Sequence, residues 1–224
     1  MALTATRAAP ARQLEAQVRH PRRPVATYDR FLRLRAAAQE LAASATREDR
    51  RAQWVQLEMA LVLAEATGAR LGAINGLRWS DISYKPPRIH WRAEFDKRGR
   101  DRVVPITDGL AEELLGFQRR LGAIGEGWLF PTRNGERPWR RELFAQKLLV
   151  AEQHASLEHL KGGVWHPFRR KWATERKNLP MVDVMAVGGW KDAATLLTCY
   201  QHTDEQSMLK VMAAPNRLMS LGAG

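Results

Sequence analysis

Apolar residues recur at helical spacing along most of this chain and give way to strand-like runs only once, between Arg88 and Ile106. Phe31, Leu34, Ala38 and Leu41 fall on one stripe of a helix that begins near Tyr28, because side chains three, four and seven positions apart share a helix face. Trp54, Leu57, Leu61 and Ala64 keep the same register in a second helix. Gly68 should stop it, since glycine takes the left-handed backbone that closes a helix without a Cβ clash. A short helix is expected over Ala73–Leu77. Residues 88–95 and 102–106 read as two short strands, and Asp96-Lys-Arg-Gly-Arg-Asp101 between them as a charged hairpin tip. Leu110, Leu114, Phe117 and Leu121 mark another helix, followed by a buried connector at Gly127-Trp-Leu-Phe-Pro131. Further helices are expected over 140–158, 167–177, 182–187, 193–200 and 205–212. The expected fold class is therefore mainly α with a small antiparallel β-sheet (α+β).

A length of 224 residues suits one large domain or two small ones, and a hydrophobic content of 45% is enough for a real core. Lys and Arg exceed Asp and Glu by 36 − 24 = 12, with a pI near 10.6. Such an excess repels itself in a compact state, and a polyanion such as nucleic acid relieves it. Residues 1–24, rich in Ala, Arg and Pro, read as a basic flexible arm, with a domain over 25–214 and a C-terminal tail over 215–224. No apolar stretch is long enough to cross a bilayer, and the first residues lack an apolar export core. Cys199 is the only cysteine, which excludes an internal disulfide and fits a reducing interior. The expected location is cytoplasmic and nucleoid-associated.

Some features mislead. The chain has neither a glycine-rich phosphate loop nor a dinucleotide fingerprint. His154, Glu158 and His159 look like a zinc motif, but on one helix five steps turn the two histidines roughly 140° apart. They read instead as a solvated helix face. Cys199 reads as a small, partly buried helix residue rather than a nucleophile.

Four segments carry chemistry. They are Thr67-Gly-Ala-Arg-Leu71 with Gly76-Leu-Arg-Trp-Ser-Asp-Ile82, Lys97 followed by Arg102-Val-Val-Pro105, His166-Pro-Phe-Arg169, and Gly188-Gly-Trp190 followed by Tyr200-Gln-His202. In this order they resemble the active-site boxes of the tyrosine recombinases, the phage-integrase family. The resemblance spans roughly Pro24 to Met212 and implies Arg70, Lys97, His166, Arg169, Trp190 and Tyr200 as the catalytic set.

Elementary chemistry agrees with those roles. Attack on a phosphodiester builds negative charge on the non-bridging oxygens, and a metal-free enzyme needs fixed donors there. Arg70 and Arg169 would form that planar fork. Tyr200 would be the nucleophile, its phenol (ordinary pKa about 10) needing nearby cations or a base. His166 would accept its proton or bond the phosphate. Lys97, on the hairpin tip, would protonate the departing 5′ oxygen. Trp190 would pack beside the phosphate and donate its indole N–H.

The resemblance implies a recombinase that cuts and rejoins double-stranded DNA through a 3′-phosphotyrosyl bond. No metal, cofactor, ATP or small-molecule substrate is needed. It also implies a homotetramer on two DNA sites, away from any membrane. A type IB topoisomerase-like enzyme and a catalytically idle DNA-binding module of the same fold are the alternatives.

Three features depart from the family. Ala73 stands where members usually carry an acidic residue that orients catalytic groups. Trp190 and Tyr200 are ten steps apart where nine is usual, with the extra residue expected in the Lys191-Asp192 turn. Roughly two dozen residues before the domain cannot form the N-terminal clamp. That clamp is read as absent, leaving an isolated catalytic domain or a reduced member.

Overall fold

The computed structural model describes residues 23–96, 99–123, 125–161, 163–203 and 205–213. The expected arm, apart from Arg23 and Pro24, and the expected tail lie outside the described residues, as does Lys97.

The fold is assembled around one helix. Helix α1 (Tyr28–Ala43) starts where the Thr27 hydroxyl accepts the Arg30 N–H, and packs along α2 (Glu48–Thr67). Trp54 to Ala64 of α2 are buried on every face, because α1, α3 (Leu71–Asn75), α4 (Asp108–Arg120), α5 (Arg141–His154) and α6 (His166–Glu175) all pack against it. Such a helix shows little amphipathicity, as expected where no face meets water. Its buried Glu58 carboxylate is paired with Arg35 and Arg120, which lets a charge sit at the centre of an apolar layer. Helices α7 (Met181–Gly188), α8 (Ala193–Cys199) and α9 (Glu205–Met212) complete the chain.

The sheet is antiparallel, in the order β1 (Ile82–Tyr84), β2 (Pro87–Trp91), β3 (Arg102–Pro105). Ile89 pairs with both Ile82 and Val104, so one apolar column faces the core. The expected connector is buried only at its centre, with Leu129 and Phe130 fully inside, while Gly127 is exposed and Trp128 and Pro131 are half-buried.

Several expectations need correction. The strand expected over 88–95 ends at Trp91, and Ala93–Phe95 form a 3₁₀ turn instead. Phe95 there sits against Gly76, where a Cβ would fall 2.0 Å from its ring, and edge-on to Trp128. Tertiary packing thus draws the chain out of the ladder. The helix expected over 140–158 stops at His154, just before Ser156 at φ 51°. His159 therefore does not share a helix face with His154. Each imidazole meets a carboxylate, His154 with Glu40 and His159 with Glu152, both at 2.8 Å. Cys199, expected to be partly buried, is exposed.

Candidate active site

The site begins with a helix stop. Gly68 closes α2 at φ 60°, and a Cβ there would lie 2.6 Å from the Trp172 ring, so only glycine fits. Two residues later Arg70 caps the N-terminus of α3. Across from it, α6 opens with His166, and Arg169 follows one turn later on the same face. Arg169 is only 2% exposed. Its Nη1 donates to the carbonyls of Gly68 at 2.5 Å and Gly188 at 2.7 Å. Its Nε and Nη2 are buried with no partner among the described residues.

The fourth segment supplies the opposite wall. Helix α7 ends in Gly189 at φ 70°, and the Trp190 N–H returns to the Met185 carbonyl. Gly189 accepts from Arg70 Nη1 at 3.3 Å. Trp190 is buried, with the Arg169 guanidinium 3.5 Å above its ring centroid. Its indole N–H is buried without a partner among the described residues, so the ring face, rather than the N–H, makes the contact found here.

Asp192 then caps α8 through the amides of Ala194 and Thr195. The helix ends at Cys199, and Tyr200 sits just past it at φ −124°. The ring of Tyr200 lies edge-on to Trp190 at 5.2 Å and 6.4 Å from that of His166, with the Arg169 guanidinium 5.2 Å from its centroid. Thr174 Oγ1 donates to its carbonyl at 3.0 Å, tying it to α6. Despite the ten-step spacing, the phenol faces the same group of side chains.

Arg70, His166, Arg169 and Tyr200 line one open cleft of about 780 Å³, and Trp190 underlies Arg169 at its wall. The sixth expected residue, Lys97, is outside the described residues, but its neighbour Asp96 lines the cleft. Burial, then the nearby Arg70, pushes the Arg169 pKa down to about 9, with Tyr200 opposing and Arg102 adding to the fall. The group therefore still carries its charge at neutral pH. The cleft walls, then Arg170, Arg169 and Arg70, hold the His166 pKa below the ordinary histidine value and favour the neutral imidazole. The cleft thus presents guanidinium donors, a neutral imidazole and a phenol to one small volume. That combination can neutralise an attacked phosphoryl group while a proton leaves the phenol.

Sequence reading missed three residues at this place. Arg141, the first residue of α5, lines the cleft beside Arg70. The bare Cα of Gly72 leaves room for it, since a Cβ there would come 2.8 Å from its Nη2. Asp96 and Arg102 meet at 2.7 Å next to Gly189. Only their clustering in the folded chain distinguishes them from ordinary surface charges of a hairpin.

The phage integrase family pattern matches residues 31–207, and the chain belongs to that family. It is 26% identical over 156 residues to the tyrosine recombinase XerC of Xanthomonas campestris pv. campestris, covering 69% of this chain and 46% of the relative. The chain thus spans about half the length of the XerC relatives it matches. A crystal structure of XerA recombinase superposes with a TM-score of 0.65 at 17% identity, covering 86% of this chain and 66% of that one. A lambda integrase dimer bound to a COC′ core site gives 0.59 at 21% identity, covering 80% and 48%. XerH recombinase bound to its difH substrate gives 0.61 at 14% identity, covering 85% and 54%. These likenesses establish the fold, mainly helical with one small antiparallel sheet.

Proposed function

We propose that this chain acts as the catalytic domain of a tyrosine recombinase, spanning residues 25–214, and cuts and rejoins double-stranded DNA through Tyr200. The observation that carries the reading is Arg169, buried against Trp190 beside Arg70, with Nε and Nη2 making no well-formed hydrogen bond among the described residues and the Tyr200 phenol the oxygen group its charge couples to. Buried donors without acceptors are costly, and a phosphate oxygen is the acceptor they suit. Arg70 and Arg169 take the non-bridging oxygens. The Tyr200 oxygen attacks phosphorus, and His166, held neutral, accepts the phenol proton or bonds the phosphate. Lys97 protonates the 5′ oxygen as its bond to phosphorus breaks. The product is a 3′-phosphotyrosyl ester and a free 5′ hydroxyl, and reversal on a second strand rejoins DNA without ATP.

Relatives of this fold are known bound to core-site DNA, to difH and, as a tetramer, to a Holliday junction. By analogy this chain works as a homotetramer on two DNA sites. The net charge of +12 supplies the affinity for the phosphate backbone. No helix among the described residues is long and apolar enough to cross a membrane, and a cytoplasmic, nucleoid-associated location follows from the proposed substrate.

The test uses nicked duplexes with a randomised core, which trap a covalent intermediate by losing the short strand beyond the cut. A protein–DNA band on a denaturing gel is expected. It should vanish with Tyr200→Phe and survive Cys199→Ser. A band that persists without the Tyr200 hydroxyl, or no band from the whole pool, overturns the proposal.

A further inference from the structure

Three guanidinium groups meet at the Gly188–Gly189 turn. Arg169 and Arg70 bond its carbonyls, and Arg102 lies so close that a Cβ on Gly189 would fall 2.7 Å from its Nη1. Like charges this close repel, and burial lowers the pKa of Arg102 while Asp96 raises it. The Asp96 side chain is only 4% exposed, accepts from Arg102 Nη1 at 2.7 Å and stands 3.9 Å from Arg70 Nη1. Glu94, the other carboxylate lining the cleft, is exposed and makes no ion pair among the described residues. Removing a buried carboxylate from between two cations leaves their charges uncompensated.

We propose that Asp96 is a positioning residue for strand cleavage: it bridges Arg102 to Arg70 and so fixes the Arg70 guanidinium against the phosphate. This rests on the catalytic reading above. Ala73, on the short helix that Arg70 opens, is buried and apolar and offers Arg70 no counter-charge. The orienting charge then comes from the opposite side of the cleft, from the 3₁₀ turn after β2. Arg102 completes the device. Its guanidinium lies 5.2 Å from the Trp91 ring centroid, so the Asp96 carboxylate is fixed on one side and directs its second oxygen at Arg70. Asp96 touches no reacting atom and acts through Arg70.

The experiment compares two substrates made on the DNA sequence that wild type traps from the randomised pool. One carries the ordinary scissile phosphate. The other carries a methylphosphonate there, tested as each diastereomer. The methyl group removes the non-bridging charge that Arg70 neutralises, so correct placement of Arg70 matters little to it. Asp96→Asn is expected to slow single-turnover covalent complex formation on phosphate by about 10–100-fold, the order of loss that small misplacement brings. On at least one methylphosphonate the loss should be under about threefold, with DNA affinity unchanged. Asp96→Glu should recover most of the phosphate rate.

Both rates come from one preparation, so their ratio does not depend on how much of the variant folds. Equal losses on the two substrates, loss of all activity, or no loss on phosphate would overturn the inference. Wild type that traps no DNA at all overturns the recombinase reading instead, which keeps the two failures apart.

Discussion

The two halves of this molecule are built differently. From Ala26 to Phe168 buried side chains form one continuous core, with α2 enclosed on all sides. Beyond it a second cluster consists of Trp172, Ala173, Val184, Trp190 and Leu196, with Met185, Val187 and Tyr200 against it. The first half carries Arg70 and His166; the second carries Trp190 and Tyr200. Tyr200, the proposed nucleophile, therefore sits on the thinner layer, where few apolar contacts resist local opening. Side chains such as Leu197 and Val182 there face solvent. Arg169 joins the halves, with one hydrogen bond to Gly68 at the end of the large core and one to Gly188 beside the small one.

That contrast can be broken most sharply at the joint. Arg169→Lys keeps a positive charge and a donor for the two carbonyls that Nη1 serves, but loses Nε and Nη2, the nitrogens left over for a phosphate. Covalent complex formation is expected to fall by about 10²–10³-fold, the scale seen when one preorganised donor is lost. A rate within threefold of wild type would show that charge alone suffices.

The next comparison sets two fully buried leucines against each other, Leu61 in the large core and Leu196 in the small cluster. Leu61→Ala should cost about 2–5 kcal/mol of global stability in denaturant unfolding. Leu196→Ala should cost less than half as much globally. Its effect should appear as faster amide exchange across α8 (Ala193–Cys199) and a lower cleavage rate. Equal global costs would mean that the halves unfold as one unit.

The smallest effect concerns pH. With its pKa lowered by the cleft and its cations, His166 stays neutral to lower pH than an ordinary imidazole. The acid limb of the cleavage rate should therefore lie below pH about 6.5, the ordinary histidine value. His166→Gln should remove it. A limb above that value would contradict the direction of the shift.

Much of this architecture was legible beforehand because it depends on local rules. The stripe from Trp54 to Ala64 and the Gly68 stop define α2, and the three-residue spacing of His166 and Arg169 puts both on one face of α6. What escaped depends on distant partners. Ala93–Phe95 has an extended look, but Phe95 is drawn against Gly76 and Trp128. Asp96 is one charge in a charged hairpin until folding buries it between two arginines. Cys199 follows an apolar run, but its position on α8 turns it to solvent, and no neighbouring residue type signals that.

The Arg70 and Arg169 guanidinium groups find their acceptors in main-chain oxygens at Gly68, Gly188 and Gly189. An oxygen of the main chain has no codon of its own. Neighbouring residues can drift widely without deleting it, provided the chain still reverses at two left-handed glycines. Distant kin of this protein are then better sought by the spacing of those reversals around an H-x-x-R pair than by any polar residue nearby.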